Sequence, residues 1–367
     1  MNMNKVFCSP SQYVQGRGAL KTLGEYVLPL GNKALVITTK GGAKRNKVVL
    51  EEAFSSDELD YVVEVFGGES SQEEIDKIVA LVKENGCNVI VSVGGGKTTD
   101  VAKAVAYFAK LPVIICPTIA SCDAPCTKLS VIYTNDGVVD HYLFLPTNPD
   151  VVLVDTDIVA KSPVRLTVSG MGDALATYFE GRATDRSYSR NLTSTFNTRG
   201  AMALAKACYD TLINEGLEAL QSAKASVSSP AFEHIVEANT LLSGVGAESS
   251  GCAAAHAIHN GFTVLPECHA YYHGEKVAFG TLVQLVHEGA SRSEINEVLD
   301  FCISVGLPVT LAEIGVTEVT EEKIMAVAEK ATAEGETIFN QAEHVTKESV
   351  YAAILAADKI GKARLSK

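Results

Sequence analysis

Two stretches of this 367-residue chain gather the side chains that chemistry needs. The first is Gly251-Cys252-Ala253-Ala254-Ala255-His256-Ala257-Ile258-His259-Asn260-Gly261, where two imidazoles stand at the helical spacing i, i+3 among small residues. Small neighbours leave room for something bulky beside His256. Asp173 sits in a similar setting, Ser169-Gly170-Met171-Gly172-Asp173-Ala174-Leu175-Ala176, and His273 in Tyr271-Tyr272-His273-Gly274-Glu275-Lys276-Val277. One carboxylate and two imidazoles would hold a zinc ion and leave it an open position, as a catalytic site requires. Spacing alone does not join the three, and His259 and His269 compete for the same role. A ligand histidine also needs an acceptor on its other ring nitrogen, which the sequence does not display.

The second stretch is Val89-Ile90-Val91-Ser92-Val93 running directly into Gly94-Gly95-Gly96-Lys97-Thr98-Thr99-Asp100. Strand, glycines, then helix is the arrangement in which backbone N–H groups approach a phosphate and the helix dipole favours its charge. Lys97 adds a cation. The spacing is neither G-x-G-x-x-G nor a Walker A loop, and a tight strand-to-helix turn is the competing explanation. A polar loop, Pro117-Thr118-Ile119-Ala120-Ser121-Cys122-Asp123-Ala124-Pro125, follows the apolar run 113–116. Ligands of open α/β sheets bind at such carboxyl ends. Thr118 and Ser121 can donate to phosphate or ribose oxygens, and Asp123 can accept from a substrate hydroxyl.

These residues need a scaffold, and the hydrophobic pattern supplies one. Short β-branched runs at 34–37, 61–65, 88–93, 113–116 and 151–154 suit strands buried on both faces of a parallel sheet. Ile75, Ile78, Val79 and Val82 form one helical stripe, with Ser71 and Glu74 as a capping-box pair at its start. Another helix follows Gly96, with Val101, Ala104 and Val105 on one side. Residues 128–134 and 138–145, joined by Asn135-Asp136-Gly137, read as an inserted β-hairpin. Ser162-Pro163 reads as an N-cap followed by proline at the first helical position. Beyond it the periods are helical, at 201–213, 231–242, 293–305 and 350–360. The expected organisation is an α/β domain with a parallel sheet over 1–160 and an all-α domain over 161–367.

Composition narrows the function classes. With 47% hydrophobic and 20% charged residues and a net charge of −13, the chain has the profile of a globular protein. No Lys/Arg cluster is dense enough for nucleic acid, and no apolar run is long enough for a membrane span. The N-terminus lacks an apolar signal region. Nine cysteines, an odd number spread along the chain, suit free thiols in a reducing cytoplasm.

Several ordered motifs resemble the glycerol dehydrogenase branch of the iron-containing alcohol dehydrogenase superfamily. They are Tyr13-Val14-Gln15-Gly16, Phe66-Gly67-Gly68-Glu69, Gly94 to Lys97 with Asp100, residues 117–125, Leu129-Ser130-Val131-Ile132-Tyr133, Gly172-Asp173-Ala174-Leu175-Ala176-Thr177, residues 253–261 and residues 273–280. The resemblance runs almost end to end. It implies a dinucleotide-binding α/β domain and a helical domain, the architecture shared with dehydroquinate synthase. It implies Zn2+ held by Asp173, His256 and His273. It implies an NAD site lined by Gly94, Gly95, Gly96, Lys97, Asp100, Thr118, Ile119, Ala120, Ser121, Thr127, Leu129 and Tyr133. Asp123, on the substrate, and His256, on the ion, are the expected catalytic residues. The implied reaction is oxidation of glycerol to dihydroxyacetone. Dehydrogenation of another small polyol or hydroxyketone, or a dehydroquinate synthase-like lyase reaction, are the alternatives. The implied assembly is a homo-oligomer, often an octamer.

One position departs from the family pattern. Where an acidic residue commonly meets the adenosine ribose, this chain has Thr39, followed by Lys40. An acidic residue there reads the 2′-OH and repels a 2′-phosphate. Thr39 can hydrogen-bond but cannot repel, so the expected cofactor is NAD without a strict exclusion of NADP.

Overall fold

The computed structural model describes residues 3–366. The chain forms two compact units: one of residues 8–162 with 222–236, the other of 163–221 and 237–366 with the N-terminal residues through Phe7.

The first unit is an α/β domain. Its strands are β1 (Gln12–Gly16), β2 (Lys33–Thr38), β3 (Asp60–Val65), β4 (Val89–Gly94), β5 (Val113–Pro117), β6 (Leu129–Tyr133), β7 (Val139–Phe144) and β8 (Val151–Asp155). Six of them make one sheet in the order β1-β8-β5-β4-β2-β3, and every neighbouring pair is parallel. The five apolar runs of the sequence are β2, β3, β4, β5 and β8. Strands β4, β5 and β8 are buried at every residue, which is why they lack polar alternation. Strand β1 escapes the pattern because it is an edge strand with a single aliphatic residue, Val14, and is recruited by pairing Gln12↔Val151 through Gly16↔Asp155. Val36, Val91, Ile114 and Leu153 pack with Leu20, Leu23 and Val27 into one core.

The strand order creates a switch point. From β2 the chain moves outward to β3, then returns past β2 to β4 and continues to β5. The loops after β2 and β4 therefore leave in opposite directions and open a crevice at the strands' carboxyl ends. Register places Thr38 opposite Val93, so the residues after each stand side by side.

The inserted hairpin is present as an antiparallel pair, Leu129↔Phe144 to Tyr133↔Val139, outside the main sheet. Gly137 takes φ +80° in its turn, a conformation that suits glycine. Of the capping box only one half forms. Ser71 accepts from the Glu74 amide at 3.3 Å, but the Glu74 carboxylate turns instead to the Gly67 amide at 2.8 Å and to Lys77. Segment 222–236 joins this unit through Glu233, which accepts from the Gln15 side-chain amide at 2.9 Å and from Thr156 at 3.1 Å.

The second unit is helical, and no strand follows β8 among the described residues. Pro163 is itself the N-cap of the helix Val164–Ser187 rather than its first residue, and Ser162 makes no side-chain cap. The helical period at 231–242 divides into an α-helix, Pro230–Glu237, and a π-turn, Ala238–Leu242, continued by Ser243–Ser250. No helix among the described residues is long and apolar enough to cross a membrane.

One buried cation secures the loops of the α/β unit. Lys103, on the helix Gly96–Ala109, is fully buried and donates to the carbonyls of Ala124 (2.9 Å), Thr127 (3.4 Å) and Leu129, with Asp100 at 3.4 Å as counter-ion. Burial pushes Asp100 up to about 6 against the pull of Lys103. Replacing Lys103 by Met strands a buried carboxylate and three carbonyls, so a loss of roughly 3–5 kcal/mol is expected in urea unfolding. Asp100 binds its proton more tightly in the native than in the unfolded chain. Its contribution is therefore fully present below about pH 4 and is lost as pH rises through about 6. Relative to Asp100→Asn, the wild type should lose on the order of 2–3 kcal/mol between pH 4 and pH 7. A flat difference across that range would refute the assignment.

Candidate functional site

In the helical unit, three side chains converge. Asp173 Oδ1 lies 3.3 Å from His256 Nε2 and 3.1 Å from His273 Nε2, and the three candidate ligand atoms lie within 4.8 Å of one another. Asp173 is almost fully buried at 2%, while the His273 side chain is 41% exposed, so the cluster is open on one side. A buried carboxylate facing two imidazole nitrogens fits a divalent ion of the zinc type, with one oxygen and two nitrogen donors and space for a further ligand. Burial alone would raise the Asp173 carboxyl, but the two imidazoles outweigh it and hold it well below the usual carboxylate range.

Glycine contacts bring these groups together. A Cβ on Gly172 would meet the Gly274 carbonyl oxygen at 2.2 Å, and one on Gly274 would meet the Ser169 carbonyl oxygen at 1.7 Å. The helices Val164–Ser187 and His273–His287 thus touch backbone to backbone where Asp173 and His273 sit. Arg165 reinforces the approach with two bonds to Glu275, 2.6 and 2.8 Å. The helix Ala254–Phe262, which carries His256, lies against Gly280, whose Cβ would meet the Ala255 carbonyl oxygen at 2.5 Å. The small residues around His256 let helices approach closely, and Ala253, Ala254, Ala255 and Ala257 are all fully buried.

The acceptor that the sequence did not display is Glu180. Its carboxylate, 1% exposed, lies 2.6 Å from His256 Nδ1. It also accepts from the backbone amides of Ala253 (2.8 Å) and His256 (3.0 Å). The helix Ala254–Phe262 has no side-chain cap of its own. Its other free amides, Ala254 and Ala255, donate to Gln284 at 3.1 and 3.0 Å. Glu180 thereby fixes the helix start and holds the His256 ring with Nε2 facing Asp173. Burial opposes a charge on His256, but Glu180, followed by Cys252 and Asp173, outweighs it and moves its pKa well above the usual value. Glu180, Cys252 and His256 form a second cluster with ligand-type atoms. There the carboxylate is already committed to His256 and two amides, so it reads as support for the first. The competitors separate: His269 bonds the Thr263 carbonyl at 2.9 Å, and His259 Nε2 lies 3.1 Å from His273 Nδ1, behind the ligand rather than beside Asp173.

In the α/β unit, Thr39, Gly94, Gly95, Gly96, Lys97, Thr118 and Ile119 line one cavity of about 450 Å³ at the switch point, together with Gly42, Arg45, Phe66 and Gly68. Gly94 and Gly95 have ordinary negative-φ backbones, and their smoothness is required by contact. Added Cβ atoms would lie 2.7 Å from Thr98 and 2.8 Å from Ile119. Gly95, the N-cap of the following helix, offers its amides no side chain, which leaves them for an anion. Lys97 is held by Glu69 at 2.7 Å and lies over the Tyr133 ring at 5.1 Å. Asp100, Ala120, Ser121, Thr127, Leu129 and Tyr133 are not among the lining residues of this cavity. Asp100 pairs with Lys103, Thr127 donates to the Ala124 carbonyl at 3.3 Å, and Asp123 precedes the short turn Ala124–Cys126. Lys103, which ties this loop down, was missed because a lysine within a helical period reads as a solvated residue.

Exchanging Glu180 for Gln keeps the shape but removes the charge on the His256 acceptor. Zinc affinity, read by competition with a chromophoric chelator, should fall roughly 10–100-fold with the circular dichroism spectrum unchanged. Unaltered affinity would show that Glu180 serves only as a cap.

A sequence profile described as iron-containing alcohol dehydrogenase matches residues 10–156. Among individual proteins, a glycerol dehydrogenase of Pseudomonas putida is 52% identical across 98% of this chain and 99% of its own. A glycolaldehyde reductase of Halobacterium salinarum is 42% identical across 98% and 99%. The crystal structure of glycerol dehydrogenase from Schizosaccharomyces pombe superposes with a TM-score of 0.95 at 39% identity, covering 99% of this chain and 92% of that one. End-to-end similarity of this degree, over a parallel-sheet unit and a helical unit with matching topology, means that the chain belongs to the iron-containing alcohol dehydrogenase family and is an oxidoreductase.

Proposed function

We propose that the protein catalyses the reversible NAD-linked oxidation of glycerol to dihydroxyacetone at a zinc ion held by Asp173, His256 and His273. The observation that carries this reading is the convergence of those three side chains on one open-sided point, with Glu180 behind His256. In the oxidation a secondary alcohol loses a hydride to the nicotinamide and a proton to solvent, giving the ketone. Bound zinc would supply Lewis acidity at the substrate hydroxyl, and bound NAD would supply the hydride acceptor.

The chain's own contribution is position and charge. Asp173 would offset one of the two charges of a divalent ion, and His256 and His273, coordinating as neutral imidazoles once the ion displaces a ring proton, would offset none, so the site would keep a net positive charge that favours an ionised hydroxyl. Glu180 keeps His256 from turning. The open amides after Gly95, with Thr118, would cradle the pyrophosphate, and Lys97 would release Glu69 to meet it. Thr127, Leu129 and Tyr133, on the loop and hairpin anchored by Lys103, would line the rest of the NAD site. Asp123 would accept a hydrogen bond from a substrate hydroxyl. Nine cysteines, an odd number spread along the chain, suit the cytoplasm as the working compartment, and a homo-oligomer as large as an octamer is the proposed assembly.

The glycolaldehyde reductase relative supports a second reading, in which a small hydroxyaldehyde or another diol is the physiological substrate. Protein stripped with a chelator should recover NADH formation from glycerol on adding zinc. If no diol gives metal-restored activity, the dehydrogenase reading falls. Asp123→Asn should raise the KM for glycerol by roughly tenfold or more, with a smaller change in the dissociation constant of NAD. An equal change in both would remove Asp123 from the substrate site.

A further inference from the structure

We infer that the switch-point cavity admits a phosphate on the adenosine ribose, so that this enzyme uses NADP as well as NAD. The inference rests on the dinucleotide reading of the cavity.

Three observations in one place carry it. The cavity that contains Gly94, Gly95 and Gly96 extends to the end of β2, where its wall is Thr39, Gly42 and Arg45. This is the strand end beside the glycine loop, since Thr38 pairs with Val93. A dinucleotide whose pyrophosphate lies on the glycine loop extends its adenosine ribose toward that neighbouring strand end. The position determines whether a 2′-hydroxyl or a 2′-phosphate is accepted, because a carboxylate there repels the phosphate and an arginine receives it. None of the residues lining the cavity is acidic.

The polar groups present suit an anion. Thr39 Oγ1 accepts from the Gly42 amide at 3.0 Å, and its own O–H remains able to donate. Arg45 folds back over the start of the helix Lys40–Ala53. Its guanidinium would lie 2.9 Å from a Cβ on Gly41, so the bare glycine gives it that place. Arg45 is exposed and has no ion-pair partner among the described residues, which leaves its planar donors available to a phosphate. Lys40 and Lys44 are exposed on the same first turns and add to the positive potential.

NADH and NADPH differ only in that phosphate, so their dissociation constants, read from the change in nicotinamide fluorescence on binding, test the inference. The wild type should bind NADPH no more than about tenfold more weakly than NADH. Arg45→Ala should raise the NADPH:NADH ratio of dissociation constants by roughly tenfold or more. Thr39→Asp should raise it in the same direction by repulsion, and Arg45→Lys should restore part of what Arg45→Ala loses. A wild-type preference for NADH well beyond tenfold overturns the inference. So does a ratio that Arg45→Ala leaves unchanged. Binding of NADH without NADPH leaves the proposed dehydrogenase intact, whereas binding of neither removes the dinucleotide reading together with this one.

Discussion

The buried carboxylate of Glu180 fixes both a helix start and the ring of His256 in the helical unit. It accepts from two backbone amides and from the His256 ring. A charged group this deeply buried is tolerable only when its lone pairs are filled by donors, and here the donors are those that need fixing. The helix Ala254–Phe262 begins without a capping side chain in its own sequence. Its start is determined by groups from two other helices, Glu180 and Gln284. His256, placed at such a start, acquires its backbone position and its ring orientation from the same carboxylate.

Close helix packing extends that constraint to Asp173 and His273. Gly172 and Gly274 bring backbones into contact, and Arg165 with Glu275 ties the two helix starts together. Small residues around a candidate metal site invite the interpretation that space has been left for a ligand. In this protein they are also where a neighbouring helix packs, which leaves Asp173, His256 and His273 little slack.

The α/β unit uses the same logic with a cation. Lys103 joins the helix after the glycine loop to the loop that carries Asp123 and Thr127 and to the start of the hairpin. One buried side chain thus joins the helix after the glycine loop to the polar loop after β5. At its outer end the cavity presents Thr39 and Arg45 and no carboxylate.

Much of this was legible in the sequence because burial on both faces leaves long apolar runs and burial on one face leaves a helical stripe. Strands β2, β3, β4, β5 and β8, the hairpin, the helical second half and the residues of the glycine loop all follow from such local patterns. Asp173, His256 and His273 were visible as chemistry-bearing residues, and ordered family motifs singled them out from His259 and His269. What local pattern could not reach was whatever depends on a distant partner. Edge strand β1 exists because β8 offers it hydrogen bonds. Glu74 leaves its capping box because Gly67 and Lys77 compete for it. Glu180 and Lys103 look like surface residues within helical periods, and only the tertiary structure buries them against amides and carbonyls far along the chain. The sequence thus determined which elements form and which residues are chemically able. The fold decided which of those residues meet, because convergence of side chains about 80 to 100 positions apart is a property of packing between helices and of no local period.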